Sequence, residues 1–300
     1  MSLITIFTAP KPFTQPHVNA IQRNAIRSWL GLGDEVEVLL IGDEEGMAEA
    51  AQEFDLRHFP QVACNAEGTP LISSIFALAR DNSQSPLLAY VNADILLMPD
   101  FVQMAKQTLE QAEKFLLAGQ RWDLDVTTEL EFGPGWADPL KAAAKSRGRL
   151  HPPAGSDYFI YPRALFTEIP DFAVGRAGWD NWMIYHAVSQ PWPAIDATPS
   201  VTIIHQNHDY AHLPQGQMHY DLEETQRNVK MAGGKSKMYM LLDTEMELVD
   251  GNLRRPRPRL ARLVRGIERR LMAKLENSRF GKFLRPIRRF RRRLTGTLKR

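Results

Sequence analysis

Cysteine is almost absent: Cys64 stands alone in 300 residues. A disulfide framework within one chain is therefore excluded, and nothing argues for an oxidising compartment. No run of about 18 apolar residues occurs, so no bilayer-spanning helix is predicted. The opening Met1-Ser2-Leu3-Ile4-Thr5-Ile6-Phe7 lacks the basic start, long apolar stretch and small-residue cleavage site of a leader. No internal repeat is visible. These absences predict a cytoplasmic globular protein, long enough to bury a substantial core.

The charge balance is uneven. The net charge of +2 hides a division: residues 253–300 hold 16 Arg and 3 Lys against 2 Glu, a net +17, so the first 252 residues carry −15. An acidic body with a basic tail points to a polyanionic partner for the tail. The Pro- and Arg-rich Gly251–Pro258 reads as a linker, dividing the chain into a body of residues 1–250 and a tail of residues 251–300.

Along the body, short apolar runs alternate with helical periodicity. Strands are predicted at Leu3–Thr8, Glu35–Ile41, Arg57–Val62, Leu87–Val91 and Phe115–Gly119. Helices are predicted at Val18–Leu30, Met47–Phe54, Pro70–Asp81 and Asp100–Lys114. This β-α alternation predicts an α/β fold with a largely parallel sheet and helices on both faces. Beyond Glu129 the pattern weakens. A helix over Leu140–Ser146, a strand over Tyr158–Tyr161, a helix over Asn181–Val188 and a last strand over Val201–Ile204 are the readable pieces. Ligands bind beyond the carboxyl ends of parallel strands. That rule collects Thr8–Pro12, Gly42–Glu44, Asn92–Asp94 and Gln120–Asp125 on one edge.

Asn92-Ala93-Asp94 follows an apolar strand. Two oxygen-bearing side chains one residue apart suit a hard cation such as Mg²⁺ or Mn²⁺ bridging a diphosphate. The same residues also end strands as Asx turns, which is the stronger reading of them in isolation. Arg23 and Arg27 lie one helical turn apart, and solvated charge outweighs phosphate contact there. Arg121 fits either a phosphate or a buried pair with an aspartate, the pair being favoured, and Trp122 either a sugar face or the core. Asp43 beside Gly42 reads equally as a turn residue or a ligand contact. Asp180, between Trp179 and Trp182, reads as a helix cap or as a base with a raised pKa. His205, His208 and His212 crowd eight residues, but without cysteines or a His-Glu-x-x-His pattern a dedicated zinc site is disfavoured.

Taken in order, Tyr90-Val91-Asn92-Ala93-Asp94-Ile95-Leu96-Leu97, Gly155-Ser156-Asp157-Tyr158-Phe159, Gly178-Trp179-Asp180-Asn181-Trp182 and Ile204-His205 resemble GT-A glycosyltransferases of the family-2-like bacterial type, over residues 1–215. The first segment resembles the Asp-x-Asp motif with Asn in its first place, which weakens that ligand. The resemblance implies donor contacts at Thr8, Ala9, Pro10, Asp43, Asn92, Ala93, Asp94 and Arg121. It implies a divalent cation, Mn²⁺ or Mg²⁺, on Asn92, Asp94 and His205. Asp180 is implied as the catalytic base of an inverting transfer from a nucleotide sugar, a UDP-sugar first, to a glycan or lipid-linked acceptor. Asp157 is implied as a second candidate for base or sugar contact. Two rivals stand. A sugar nucleotidyltransferase shares the sheet but wants a glycine-rich loop where Thr8-Ala9-Pro10-Lys11-Pro12 has none. A non-catalytic, membrane-associated binding protein on a degenerate fold is kept open by Asn92.

In the tail, Leu260, Leu263, Val264, Ile267, Leu271 and Leu275 recur at steps of three and four among arginines. This basic amphipathic helix predicts an anionic membrane surface as partner, peripheral at the inner face of the membrane. Nucleic acid is the weaker reading, because no recognised module is present. Packing of the apolar stripe onto the body is the bland alternative.

Overall fold

The computed structural model describes residues 2–208, 222–275 and 284–297. His212 lies outside them. The first half of the body is built from β1 (Ile4–Thr8), α1 (Pro16–Leu30), β2 (Val36–Ile41), α2 (Met47–Glu53), β3 (Arg57–Phe59), α3 (Ile72–Asn82) and β4 (Leu87–Val91). Then come β5 (Ile95–Leu97), α4 (Asp100–Gln111), β6 (Leu116–Ala118), β7 (Trp122–Leu124), α5 (Ala137–Arg147), β8 (Arg149–Leu150) and β9 (Tyr158–Pro162). The remainder is α6 (Trp179–Val188), β10 (Ala194–Asp196), β11 (Ile203–Gln206), α7 (Glu223–Met231), β12 (Met246–Val249), β13 (Asn252–Arg254), α8 (Leu260–Leu275) and α9 (Leu284–Leu294).

Nine strands form the central sheet in the order β13-β12-β10-β6-β9-β4-β1-β2-β3. The pairs β1–β2, β1–β4, β2–β3, β6–β10 and β10–β12 are parallel. Strand alternation sends side chains to two cores. Ile4, Ile6, Val38 and Leu40 meet Ala25, Ile26 and Trp29 of α1 on one face. Phe7, Leu39, Leu88 and Tyr90 meet Ile75 and Phe76 of α3 and Trp179 and Trp182 of α6 on the other. Trp29 is fully buried, and its indole N–H donates to the Ile95 carbonyl at 2.9 Å. Truncating a side chain so placed costs about 3–5 kcal/mol.

Three features correct the sequence reading. Strand β9 runs antiparallel to both neighbours, β4 and β6. Its start, not its end, therefore lies at the carboxyl edge of β4, where Val91 faces Tyr158. The strand expected over Val201–Ile204 runs from Ile203 to Gln206, so His205 lies within it. Nor is it the last strand. Asp250 and Gly251 both take positive φ, 50° and 75°, in a two-residue turn joining β12 to β13. Asp-Gly is the residue pair such a turn favours. Asn252–Arg254 of the expected linker thus forms the sheet's edge strand.

A second sheet, β5-β11-β7-β8, lies beside the first. After Asn92–Asp94 the chain leaves the central sheet as β5, and β11 pairs with it antiparallel, His205 opposite Ile95. Strand β7 runs parallel to β11 and sets Asp123 beside His205. These two pairings carry the late histidines to the end of β4.

Candidate active site

The carboxyl edge of β1, β2 and β4, the start of β9 and the start of α6 enclose a cleft of about 740 Å³. Ala9, Pro10, Asn92, Ala93, Asp94, Arg121, Asp157, Asp180 and His205 all line it. Two of the expected residues do not. Thr8 is buried beneath the cleft floor, and exposed Asp43 lies outside the lining while Glu44 lies within it. The loop after β2 turns one residue too far for Asp43 to face inward. Trp122 packs against a separate apolar cluster that includes Leu96, Met98, Leu124 and Ile204, away from the cleft. Arg23 and Arg27 pair with Glu53 and Glu129 on the surface.

Asp94 is the centre of the polar group. Its Oδ2 lies 3.1 Å from His208 Nε2 and 3.6 Å from His205 Nε2. Its Oδ1 is buried and meets no hydrogen-bond donor among the described residues. One donor atom from each of Asp94, His205 and His208 falls within 4.8 Å of the others. Burial alone would raise the Asp94 pKa, but His205, the His208 bond and Lys11 hold it well below the usual carboxylate range. Burial pushes His205 the other way, below the ordinary imidazole value, which favours the neutral ring that ligates metals. The donor set therefore fits a divalent cation: an unsatisfied carboxylate oxygen and two imidazoles, open to the cleft. Two nitrogen donors suit Mn²⁺ better than Mg²⁺, which wants oxygen.

Asn92 is oriented by its neighbour rather than by Asp94. Its side-chain amide donates to Asp157 Oδ1 at 2.9 Å, and its backbone N–H donates to the Asp157 carbonyl at 2.9 Å. Arg121 donates to the same Oδ1 at 2.5 Å and to Asp123 Oδ1 at 2.9 Å. The Arg–Asp pair favoured at position 121 thus forms, and it does so on the cleft wall. Asp123 also holds His151 Nδ1 at 3.0 Å. Although burial opposes it, the His151 and Arg121 contacts keep the Asp123 carboxyl ionised, well below its ordinary range. Asp157 is thus committed to a buried network through one oxygen, while its Oδ2 is buried without a donor.

Asp180 occupies the first turn of α6. The cap position belongs to Gly178, whose φ of +112° favours glycine and whose N–H donates to Asp180 Oδ1 at 3.2 Å. Burial, opposed by the Asn181 and Gly178 N–H groups and assisted by Asp157, pushes the carboxyl up to about 6. Trp179 packs edge-on to Tyr90 and Phe159, and Trp182 against Phe172 and His186. Both tryptophans are buried in the core, and Trp179 also lines the cleft beside Asp180. Gly155 lies beside Asp180 on the cleft lining, and a Cβ there would stand in ordinary contact, 4.0 Å from Oδ2.

The sequence reading assigned no role to Lys11, Asp123, His151 or Glu44, and it left His208 out of the cation site. Lys11 projects from the loop after β1 into the cleft, and Gln22 of α1 pins its backbone by two hydrogen bonds of 2.7 and 2.9 Å. Burial lowers its pKa, an effect the Asp94 carboxylate opposes. The one signal for Lys11 was its place as the sole cation between Pro10 and Pro12 at a strand end. The signal for His208 was its closeness in sequence to His205.

No family model matches the chain, and no curated protein matches it. Solved structures do. The S. aureus TarS fragment 1–349 in complex with UDP-GlcNAc matches at TM-score 0.50 and 10% identity, covering 94% of this chain and 75% of that one. In the complex of the same fragment with UDP, the match covers 69% of this chain but only 59% of that one, at TM-score 0.42 and 11% identity. Glucosyl-3-phosphoglycerate synthase from Mycobacterium tuberculosis, with Mg²⁺ and UDP, matches at TM-score 0.47 and 16% identity, over 78% and 80% of the two chains. The sheet order, the cleft at its carboxyl edge and the near-full-length likeness to TarS give this chain the GT-A fold of nucleotide-sugar glycosyltransferases.

Proposed function

We propose that this protein transfers a sugar from a nucleoside-diphosphate donor, a UDP-sugar first, to an acceptor hydroxyl with inversion, at a membrane surface. The observation that carries the reading is one cleft holding two different carboxylates. Asp94 is kept ionised by Lys11 and the imidazoles, and Asp180, on the lining of the same cleft, is raised to about 6. Carboxylates pushed apart in this way divide into a charge-holding and a proton-accepting role. The UDP-GlcNAc in the TarS structure of the same fold supports a UDP-sugar donor.

Asp94, His205 and His208 would hold a divalent cation, which when bound supplies Lewis-acid neutralisation of the leaving diphosphate. Lys11 adds a fixed positive charge on the same side of the cleft. Arg121 and Asp157 brace Asn92, and with it the turn that presents Asp94. Asp180 accepts the acceptor's hydroxyl proton as its oxygen attacks the anomeric carbon. A base near neutral pKa is efficient in that step. The Gly178 N–H keeps Asp180 aimed at the cleft.

The test is release of nucleoside diphosphate from UDP-, GDP- and dTDP-sugars by the full chain, with Mn²⁺, with Mg²⁺ and with EDTA. Turnover of one donor that EDTA abolishes supports the reading and names the donor. If no donor is turned over and none raises the melting temperature, the transferase reading falls. Donor binding without turnover across an acceptor panel would favour the binding-only reading that Asn92 kept open.

A further inference from the structure

Helix α8 is docked in the reverse of the sense that packing its apolar stripe onto the body would give. Were its leucines the anchor, they would be buried and its arginines exposed. Instead Arg265 and Glu268 are 3% and 1% exposed, while Leu260, Leu263 and Ile267 are 53%, 62% and 52% exposed. Ion pairs hold the helix to the body: Arg265 to Asp243 at 2.8 Å, and Arg262 to Glu247 at 3.0 Å and Asp196 at 3.7 Å. Helix α9 repeats the arrangement on α8. Arg291 is buried against Glu268 at 2.6 Å, whereas Phe290 and Leu294 are 47% and 39% exposed. Only Val264, Met272 and Leu284 turn inward as buried apolar residues.

Five large apolar side chains are therefore left in water on two packed helices. Around them stand Arg259, Arg270, Arg285, Arg289, Arg292 and Arg293, exposed and making no ion pair among the described residues. An apolar centre with a cationic surround is a chemical pattern that few partners meet. A nucleic acid offers phosphates but nothing to cover aliphatic side chains. A second copy would bring like charges together around the seam. A bilayer containing anionic lipid supplies both parts, acyl chain for the centre and phosphate for the rim.

We propose that the outward face of α8 and α9 seats in the interface of an anionic phospholipid bilayer. Leu260, Leu263, Ile267, Phe290 and Leu294 enter the headgroup layer, and the arginines lie on the lipid phosphates. This names the membrane partner of the function proposed above and rests on that reading for its purpose. Because the hairpin is fixed to the body by buried ion pairs, the bound protein has one orientation on the membrane. It is not a body on a loose tether.

The experiment is co-sedimentation of the full chain with phosphatidylcholine vesicles, with and without one third phosphatidylglycerol, at physiological salt. Wild type is expected to sediment with the mixed vesicles and to stay in solution with phosphatidylcholine alone. Leu263→Asp combined with Ile267→Asp should weaken partition at least about tenfold without lowering the melting temperature, because both sites are exposed. Arg289→Gln combined with Arg293→Gln should leave weaker binding that depends less on salt. Failure of wild type to bind mixed vesicles, or equal binding by the Leu263/Ile267 variant, overturns the proposal. So does a concentration-dependent dimer in light scattering that the same variant abolishes, which would assign the face to a second copy. Binding is read without any nucleotide sugar, so its failure and a failure of sugar transfer are separate results.

Discussion

Replacing Asp180 with asparagine removes one charge and changes little volume. The Gly178 N–H keeps an acceptor, because the amide oxygen can take the place of Oδ1. What is lost is the ability to accept a proton, and a general base contributes typically 10²–10⁴-fold. Transfer by Asp180→Asn should fall by about that factor, with little change in donor affinity. Wild-type turnover should rise with pH through about 6 and level off above it, because only the ionised carboxylate accepts the proton. Stability should move the opposite way to activity. The folded pKa of about 6 lies above the ordinary 3.8, so between these values the folded state binds more protons than the unfolded state. Stability is then lost as pH rises through that window. At 1.36 kcal/mol per pH unit, keeping the charged form in the cleft costs about 3 kcal/mol at pH 8 and about 1 kcal/mol at pH 4.5. The asparagine variant should therefore melt a few degrees higher than wild type at pH 8, with a much smaller gain at pH 4.5. Parallel measurements of nucleoside diphosphate release and thermal melting across pH provide the check. A folded variant with full transfer activity refutes the base. A variant less stable than wild type at pH 8 refutes the argument that burial of charge sets this carboxylate's behaviour.

Three further outcomes are expected. Mn²⁺ should raise the melting temperature of wild type, and His208→Ala should diminish that rise as much as His205→Ala does, while Asp94→Ala should abolish it; an unchanged rise in His208→Ala would remove that residue from the cation site. Lys11→Ala should weaken donor binding about 10–100-fold by calorimetry, the range expected when a charged hydrogen-bond donor is lost, and the loss should shrink at high salt. Arg121→Met and Asp157→Leu should each destabilise the fold by about 3–5 kcal/mol in denaturant titrations by stranding a buried charge, whereas the double variant should cost less than the sum; strict additivity would mean that the 2.5 Å pair carries no coupling.

The half of the fold that sequence made legible is the half in which apolar strands alternate regularly with periodic helices. Strands β1, β2 and β4 are short apolar runs between periodic helices, and β4 spans Leu87–Val91 as read. Asp94 was legible because it ends such a run. Strand β9 was visible as an apolar stretch, but its direction was not, since direction depends on partners 43 to 75 residues away, Leu117 for Ile160 and Leu87 for Pro162. Residues 252–254 were hidden by composition: arginine and proline nearby read as a linker, and the Asp250-Gly251 turn that pairs them was passed over. His208 was discounted because a lone histidine carries no chemistry until β11 lies against β5 and brings it to Asp94. Thr8 and Asp43 show the converse limit. Position at a strand end selects a neighbourhood, but side-chain direction selects the residue, and it favoured Lys11 and Glu44.

Strand β9 has a further consequence for how the molecule comes together. It alone joins β3-β2-β1-β4 to β6-β10-β12-β13, and it does so through the five residues Tyr158–Pro162. The first four strands can pair as soon as residues up to 91 exist, although β1 meets β4 across 83 residues, from Ile4 to Leu87. The other four must wait for β10, β12 and β13, and the two groups stay apart until β9 bridges them. Asp157 immediately precedes that segment and meets Asn92 and Arg121 only when the closure is made. The cleft is therefore complete only once β9 bridges the two groups of strands, and hydrogen exchange should find the two half-sheets opening along β9 before either opens within itself.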